Sequence, residues 1–217
     1  MCASYMIKQR SLPRLVTDLR SDDFEQFFDQ LIVPHRPAPV IVVDGDKVIV
    51  KPMRFSLIPR WSKEVKPKFA THNARIESVV DKPTWRDAFQ KRHCIVPLTH
   101  FLEPIYEGDN AGFMVAFHRP KGEWLNAAGI WEEWASKETG EVVESFSIIT
   151  TDPPPYIAEV GHDRCPIFLD DTTASEWLRL NEKPQKMVEF LLERYQPGDF
   201  ALDRHRPMRP GWEKRKG

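Results

Sequence analysis

Nineteen prolines against ten glycines in 217 residues constrain this chain's fold more than any other feature. Each proline fixes φ and removes a backbone donor, so helices must be short and strands must break into brief segments joined by rigid turns. Phe24, Phe27, Phe28 and Leu31 recur at helical spacing after Ser21 and Asp22, which predicts an amphipathic helix over residues 22–32. Residues 40–43 and 48–50 read as strands around Asp44-Gly45-Asp46-Lys47, where Asp-Gly supplies a tight hairpin, and residues 53–58 read as a third strand. Thr84 after Pro83, with Asp87 three residues on, is a capping-box start for a helix to residue 92. Five apolar or alternating runs follow, at 94–96, 101–106, 112–118, 124–131 and 145–151, and several are expected to curl into a barrel. Helices are predicted over 172–180 and 184–195, the latter with Met187, Phe190 and Leu191 on one face. The expected class is α+β, with a curled, barrel-like, mainly antiparallel β core flanked by short helices.

A length of 217 against a typical domain of roughly 150 favours one large domain, assigned to residues 1–203. Residues 204–217 read as a basic tail, because six Lys/Arg stand against two acids from Asp203 onward. With 41% hydrophobic and 29% charged residues the chain is too apolar for wholesale disorder. The longest stretch without Lys, Arg, Asp or Glu, His93 to Leu102, falls short of the roughly 20 apolar residues of a membrane span. The N-terminus carries no basic segment followed by an apolar run, so a cytoplasmic protein, nucleoid-associated when bound to DNA, is expected.

Cys2, Cys94 and Cys165 include no CxxC pair, which argues against a disulfide framework or a cysteine-rich zinc module. A zinc set of His93, Cys94, His162 and Cys165 lacks ligand spacing, so no metal and no cofactor are expected, and Cys94 and Cys165 read as small buried hydrophobes. Net charge is −1, but nine Lys/Arg against four acids between Arg60 and Arg92 contrast with three against twelve between Thr99 and Asp163. A basic face suited to nucleic acid follows from that asymmetry.

Cys2 carries the most specific chemistry. Removal of Met1 would leave a 1,2-aminothiol. An α-amine near about 7.7 to 8.0 is roughly a tenth to a fifth unprotonated at pH 7, and a thiol near about 8.5 is about 3% thiolate. The amine forms a Schiff base with an aldehyde, and the thiol two carbons away closes a thiazolidine ring.

Four further segments stand in order: Thr71-His72-Asn73-Ala74-Arg75-Ile76-Glu77-Ser78; Cys94-Ile95-Val96-Pro97 leading to Phe101-Leu102-Glu103; Ala127-Ala128-Gly129-Ile130-Trp131-Glu132 with Ser145 to Thr151; and Gly161-His162-Asp163-Arg164-Cys165-Pro166. With Cys2, and with Phe55-Ser56-Leu57-Ile58-Pro59-Arg60-Trp61 for a WG-x-x-P-x-W segment, the chain resembles the SRAP (SOS response-associated peptidase-like) family over nearly its whole length. That resemblance implies a sensor and shield of abasic sites in single-stranded DNA, including single-strand/double-strand junctions, acting as a monomer through a covalent thiazolidine crosslink, with lyase activity or crosslink reversal through the same Schiff base. It implies Cys2 as nucleophile, Asn73 positioning the N-terminal amine or thiol, Glu103 transferring protons and His162 assisting at the sugar. It further implies Arg75 on a phosphate beside the lesion and Trp61 in an aromatic wedge.

Bland readings stand beside these: Arg75 pairing with Glu77, Trp61 as a core residue, Glu103 as a solvent-facing strand carboxylate, Asn73 as a turn or cap residue, and His162 as a satisfied structural histidine, though a neighbouring Asp163 could orient it. The chain also departs from the family pattern. Ala3-Ser4 replaces Gly-Arg after the cysteine, Phe55 replaces the first tryptophan of the WG segment, Ser62 replaces a second aromatic, and Pro104 follows Glu103 where tryptophan is typical. Val33 to Pro39 replaces a Tyr-Asn-x-x-Pro segment, and Arg36 is a candidate DNA contact that restores lost charge. A thiol (auto)peptidase using Cys2 and a noncovalent single-stranded DNA-binding module are the alternatives.

Overall fold

Apolar residues on both sides of consecutive strands dictate how this chain packs. In a computed structural model, which describes residues 4–8, 15 and 25–215, the strands are β1 (Ser4–Met6), β2 (Leu31–Ile32), β3 (Pro37–Asp44), β4 (Lys47–Phe55), β5 (Asn73–Arg75), β6 (His93–Leu98), β7 (His100–Pro104), β8 (Phe113–His118), β9 (Leu125–Ala135), β10 (Val142–Thr151), β11 (Cys165–Pro166), β12 (Phe168–Leu169) and β13 (Ala201–Pro207). The described helices are α1 (Arg86–Lys91), α2 (Pro155–Glu159), α3 (Asp171–Arg179) and α4 (Pro184–Arg194). No helix among the described residues is long and apolar enough to cross a membrane.

Five strands close into a barrel: β4, β3, β6 and β9 pair antiparallel in that order, β9 pairs antiparallel with β10, and β10 returns to β4 in parallel. The hairpin that starts the ring turns on Gly45, whose φ of +59° is the left-handed conformation an Asp-Gly turn needs. A second sheet, ordered β13-β8-β7-β1-β2, is antiparallel throughout. The architecture is therefore α+β, a single domain with a closed, mainly antiparallel barrel and short helices.

Strand alternation divides the core in two. Val40, Val42, Cys94, Val96 and Ala127 of the barrel pack in one cluster with Tyr5, Phe101 and Phe117 of the second sheet. The residues between them, Ile41, Ile95, Ala128 and Ile130, pack with Phe89, Trp177, Met187 and Leu191 of the helices. Strands covered on both faces read as continuous apolar runs, the pattern of β6 and β9.

Several expectations are corrected. Residues 22–24 of the predicted first helix lie outside the described residues; Glu25 is helical and residues 26–27 form a turn, after which Phe28 bridges Ile7, and Leu31 and Ile32 pair with Met6 and Tyr5 as strand. The available β1 edge outweighs the helical period of that segment. Residues 53–55 are no third strand but the end of β4, which runs unbroken from Lys47. Thr84 caps nothing: α1 begins at Arg86 without a side-chain cap, because the amides of Trp85 and Arg86 both donate to the Lys82 carbonyl. Strand pairing also continues past residue 203, since β13 runs to Pro207 against β8.

Candidate functional site

Glu103 arrives at the site by strand alternation. On β7 it shares a face with Phe101, a member of the first core cluster, while Leu102 between them points to a smaller cluster with Met6 and Ala116. A carboxylate is thus carried on the apolar face, with no exposed surface. β1 pairs directly beside it, Ser4 against Leu102 and Tyr5 against Phe101. The Tyr5 ring meets Phe55 edge-on at 5.5 Å, and Phe55 meets His72 at 5.9 Å, so an aromatic series links the start of β1 to the residue before Asn73.

β10 gathers the other members. Its residues Ile148 and Thr150 pair in parallel with Asn73 and Arg75 of β5, and Thr150 and Thr151 pair on the opposite edge with Pro166 and Cys165 of β11. The chain between β10 and β11 carries three prolines, the helix α2 and then Gly161, whose φ of +100° admits glycine where a side chain would strain the backbone. A Cβ there would stand 3.3 Å from the Glu107 carbonyl oxygen. His162 follows and is buried.

His162 Nε2 lies 2.9 Å from Glu103 Oε2. Its Nδ1 is 2.8 Å from the Arg164 carbonyl oxygen and 3.2 Å from the Arg164 amide nitrogen. One ring nitrogen cannot both donate and accept in one tautomer, and the shorter contact assigns the proton to Nδ1. Nε2 faces the carboxylate across that 2.9 Å, and a buried imidazole set against a buried carboxylate is an arrangement that can deliver or take a proton.

Arg164, to which the sequence alone assigns no role, fixes this loop. It is buried, with Nη1 donating to Asp152 Oδ1 at 2.9 Å and Nη2 to both Glu77 oxygens at 3.1 and 2.9 Å and to the Thr150 carbonyl at 2.8 Å. Glu77 is thereby taken by Arg164, and among the described residues Arg75 forms no ion pair. Asp163 is exposed, and the carboxylate at the His162 ring is that of Glu103.

Asn73 is buried, and with His72, Arg75, Ala70, Lys82 and Trp85 it lines a cavity of about 170 Å³. Burial holds the His72 imidazole below its ordinary value, opposed by the Glu103 carboxylate, so the two groups share one electrostatic neighbourhood. Trp61 is no core residue: 56% of it is exposed, its indole N–H donates to the Pro83 carbonyl at 3.1 Å, and Phe69, itself 47% exposed, stacks on it at 6.4 Å. Phe69 carries no signal in the sequence, because seven residues and no periodicity separate the two rings. Arg36 is exposed in the turn before β3, where its carbonyl accepts from the Phe55 amide. Cys2 lies outside the described residues.

The other two cysteines are buried. Burial pushes the Cys94 thiol up and the Cys165 thiol to about 12, so neither is a thiolate at neutral pH. His93 lies with Nδ1 2.9 Å from the Trp177 carbonyl oxygen and Nε2 2.7 Å from that of Phe89, stacked on the Trp177 indole. Among the described residues no group of three or more His, Cys, Asp and Glu side chains could hold a metal ion.

A family model described as SOS response associated peptidase (SRAP) matches residues 1–205. The chain is 28% identical over 169 residues to abasic site processing protein YoqW of Bacillus subtilis (strain 168), covering 78% of this chain and 75% of that protein. It is 30% identical over 165 residues to abasic site processing protein HMCES of Pongo abelii, covering 62% of this chain and 46% of that one. A crystal structure of a protein from Bacteroides thetaiotaomicron shares the fold with a TM-score of 0.73 at 23% identity, over 93% of this chain and 90% of that one.

Proposed function

The chain belongs to the SOS response associated peptidase (SRAP) family, and on that premise we propose that it processes abasic sites in single-stranded DNA by covalent capture through Cys2. The observation that carries the reading is the buried contact of His162 with Glu103, beside the strand that begins two residues after Cys2.

The reaction balances with these groups alone. A proton delivered to the sugar ring oxygen opens the abasic deoxyribose and exposes the C1′ aldehyde. The α-amine of Cys2, with Met1 removed, adds to C1′; loss of water gives a Schiff base, and the thiol adds to the imine carbon to close the thiazolidine. Aldehyde and aminothiol become thiazolidine and water, with no change of oxidation state. Glu103 and His162 exchange the protons, and Asn73 holds the amine or thiol by its amide. The same Schiff base also permits strand cleavage by elimination, or reversal of the crosslink. Arg75 holds a phosphate, Trp61 and Phe69 offer a flat apolar surface for unstacked bases, and exposed Arg36 adds charge. Relatives named abasic site processing proteins support the substrate.

The test is to mix protein with an N-terminal Cys2, verified by intact mass, with single-stranded DNA containing one abasic site. A heat-stable adduct lighter by one water than the sum of its parts, absent with Cys2→Ala and with retained Met1, is expected. An adduct that survives Cys2→Ala contradicts the proposed nucleophile, and absence of both adduct and strand cleavage contradicts the function.

A further inference from the structure

Strand alternation on β9 puts Glu132 and Trp134 on one face, both buried, while the less buried Trp131 and Glu133 turn the other way. The two grip the loop after β4 at positions two residues apart. Glu132 Oε1 accepts from Arg60 Nε at 3.1 Å, and the Trp134 indole N–H donates to the Ser62 carbonyl at 2.8 Å. Trp61 lies between those two anchors, in a turn closed by the Ser62 amide donating to the Pro59 carbonyl at 2.8 Å. With both neighbours held to the barrel, Trp61 is the side chain the turn presents to solvent. Its ring lines a groove of about 300 Å³ with Pro67 and Phe69 and with Lys63, Glu64 and Lys68. Glu132 is itself fixed: Oε2 accepts from Arg92 Nη2 at 2.6 Å and Oε1 also accepts the Glu133 amide at 2.9 Å. The Arg92 carbonyl in turn accepts the Trp131 amide at 3.0 Å, so carboxylate and guanidinium are anchored on the same stretch of β9.

We propose that Glu132 is a positioning residue for DNA capture: through Arg60, and with Trp134 on Ser62, it sets the angle at which Trp61 and Phe69 meet an unstacked base. The inference rests on the abasic-site reading and adds to it a residue that touches no DNA. The Glu132 side chain is 3% exposed, and apolar side chains of similar volume stabilise such a site as well as a buried ion pair does, or better. What the carboxylate supplies instead is direction. Two fixed acceptor oxygens hold one guanidinium from α1 and one from the loop, and a charge-assisted bond of this kind restricts the loop's approach more than apolar contact would.

The experiment measures noncovalent binding of single-stranded DNA carrying a tetrahydrofuran residue, which has no aldehyde, by wild type, Glu132→Gln, Trp61→Ala and the double variant, each below its melting temperature. Glu132→Gln is expected to weaken binding about three- to tenfold in the wild-type background and by less than about twofold once Trp61 is Ala, the non-additivity of residues that act through one another. A loss of stability alone does not depend on Trp61 in this way. If Glu132→Gln does not fold, Trp134→Phe, which keeps a packed ring and removes the N–H donated to Ser62, carries the same cycle with the same pattern expected. Equal weakening in both backgrounds, or none, in the variant that folds overturns the positioning role while leaving wild-type crosslinking intact. Wild-type affinity in Trp61→Ala overturns it too, because the surface being positioned is then unused. A wild type that neither binds this DNA nor forms an adduct with a true abasic strand overturns the function, and the positioning role with it.

Discussion

His162 Nε2 stands 2.9 Å from Glu103 Oε2, with both side chains buried and the other ring nitrogen donating to the Arg164 carbonyl. The second sheet brings the carboxylate and the loop after α2 brings the imidazole, so the pair exists only where those two units meet. Arg164 secures the loop side of that junction through Thr150, Glu77 and Asp152.

Glu103→Gln keeps the shape of the side chain and removes its ability to exchange a proton. Adduct formation on abasic single-stranded DNA is expected to slow by about 10² to 10⁴, the usual span of general acid–base assistance. Quenched time courses on denaturing gels measure it. A rate within threefold of wild type would remove Glu103 from the proton path.

Trp61 is mostly exposed, and its hydrogen bond to Pro83 is at the surface. Trp61→Ala is therefore expected to leave the denaturant midpoint in place while weakening single-stranded DNA binding by about 1–3 kcal/mol, the magnitude of one base–aromatic stack. Fluorescence anisotropy with a labelled oligonucleotide reads the second effect. Loss of stability without loss of binding would make Trp61 a structural residue.

Ser56 occupies the glycine position of the segment that resembles WG-x-x-P-x-W, yet its φ is +97°. A non-glycine residue there costs about 1–3 kcal/mol, and among the described residues the buried Ser56 hydroxyl has no hydrogen-bond partner. Ser56→Gly removes both penalties and adds some unfolded-state entropy. A net gain of about 1 kcal/mol in urea unfolding, at an unchanged m-value, is expected. A loss of stability would count against strain at this position.

His100 stacks on His118 at 4.7 Å, and its Nδ1 lies 2.8 Å from Thr99 Oγ1. Burial first, then Lys8, His118 and His205, depress its imidazole from 6.5 to about 4, against the opposing pull of Asp203. Between those values the unfolded chain binds a proton that the folded state refuses, so stability is fully present above about 6.5 and falls as the pH drops toward 4. His100→Gln is expected to flatten the dependence of the urea midpoint between pH 7 and 5. Some slope remains, because burial also lowers His35, His72 and His93. A full wild-type slope in the variant would assign the effect elsewhere.

Short-range patterns are legible in the sequence itself. The Asp-Gly hairpin, the apolar runs of β6, β9 and β10, and the helices α3 and α4 depend on neighbours a few residues apart, and each forms close to its expected position. The residue types of the site are visible too, as Asn73, Glu103 and His162 stand in ordered segments beside Cys2. Pairings between distant segments are not. The helical spacing around Phe28 and Leu31 gives way once β1 offers Tyr5 and Met6 as partners. The removal of Glu77 from Arg75 by Arg164, the choice of Glu103 over Asp163 at the His162 ring, and the stacking of Phe69 on Trp61 are likewise tertiary events. Local sequence sets backbone preference and which faces are apolar. Which charged or aromatic group meets which depends on long-range closure of the barrel and the second sheet, and burial then makes each such pairing decisive, because a charge left alone there is costly.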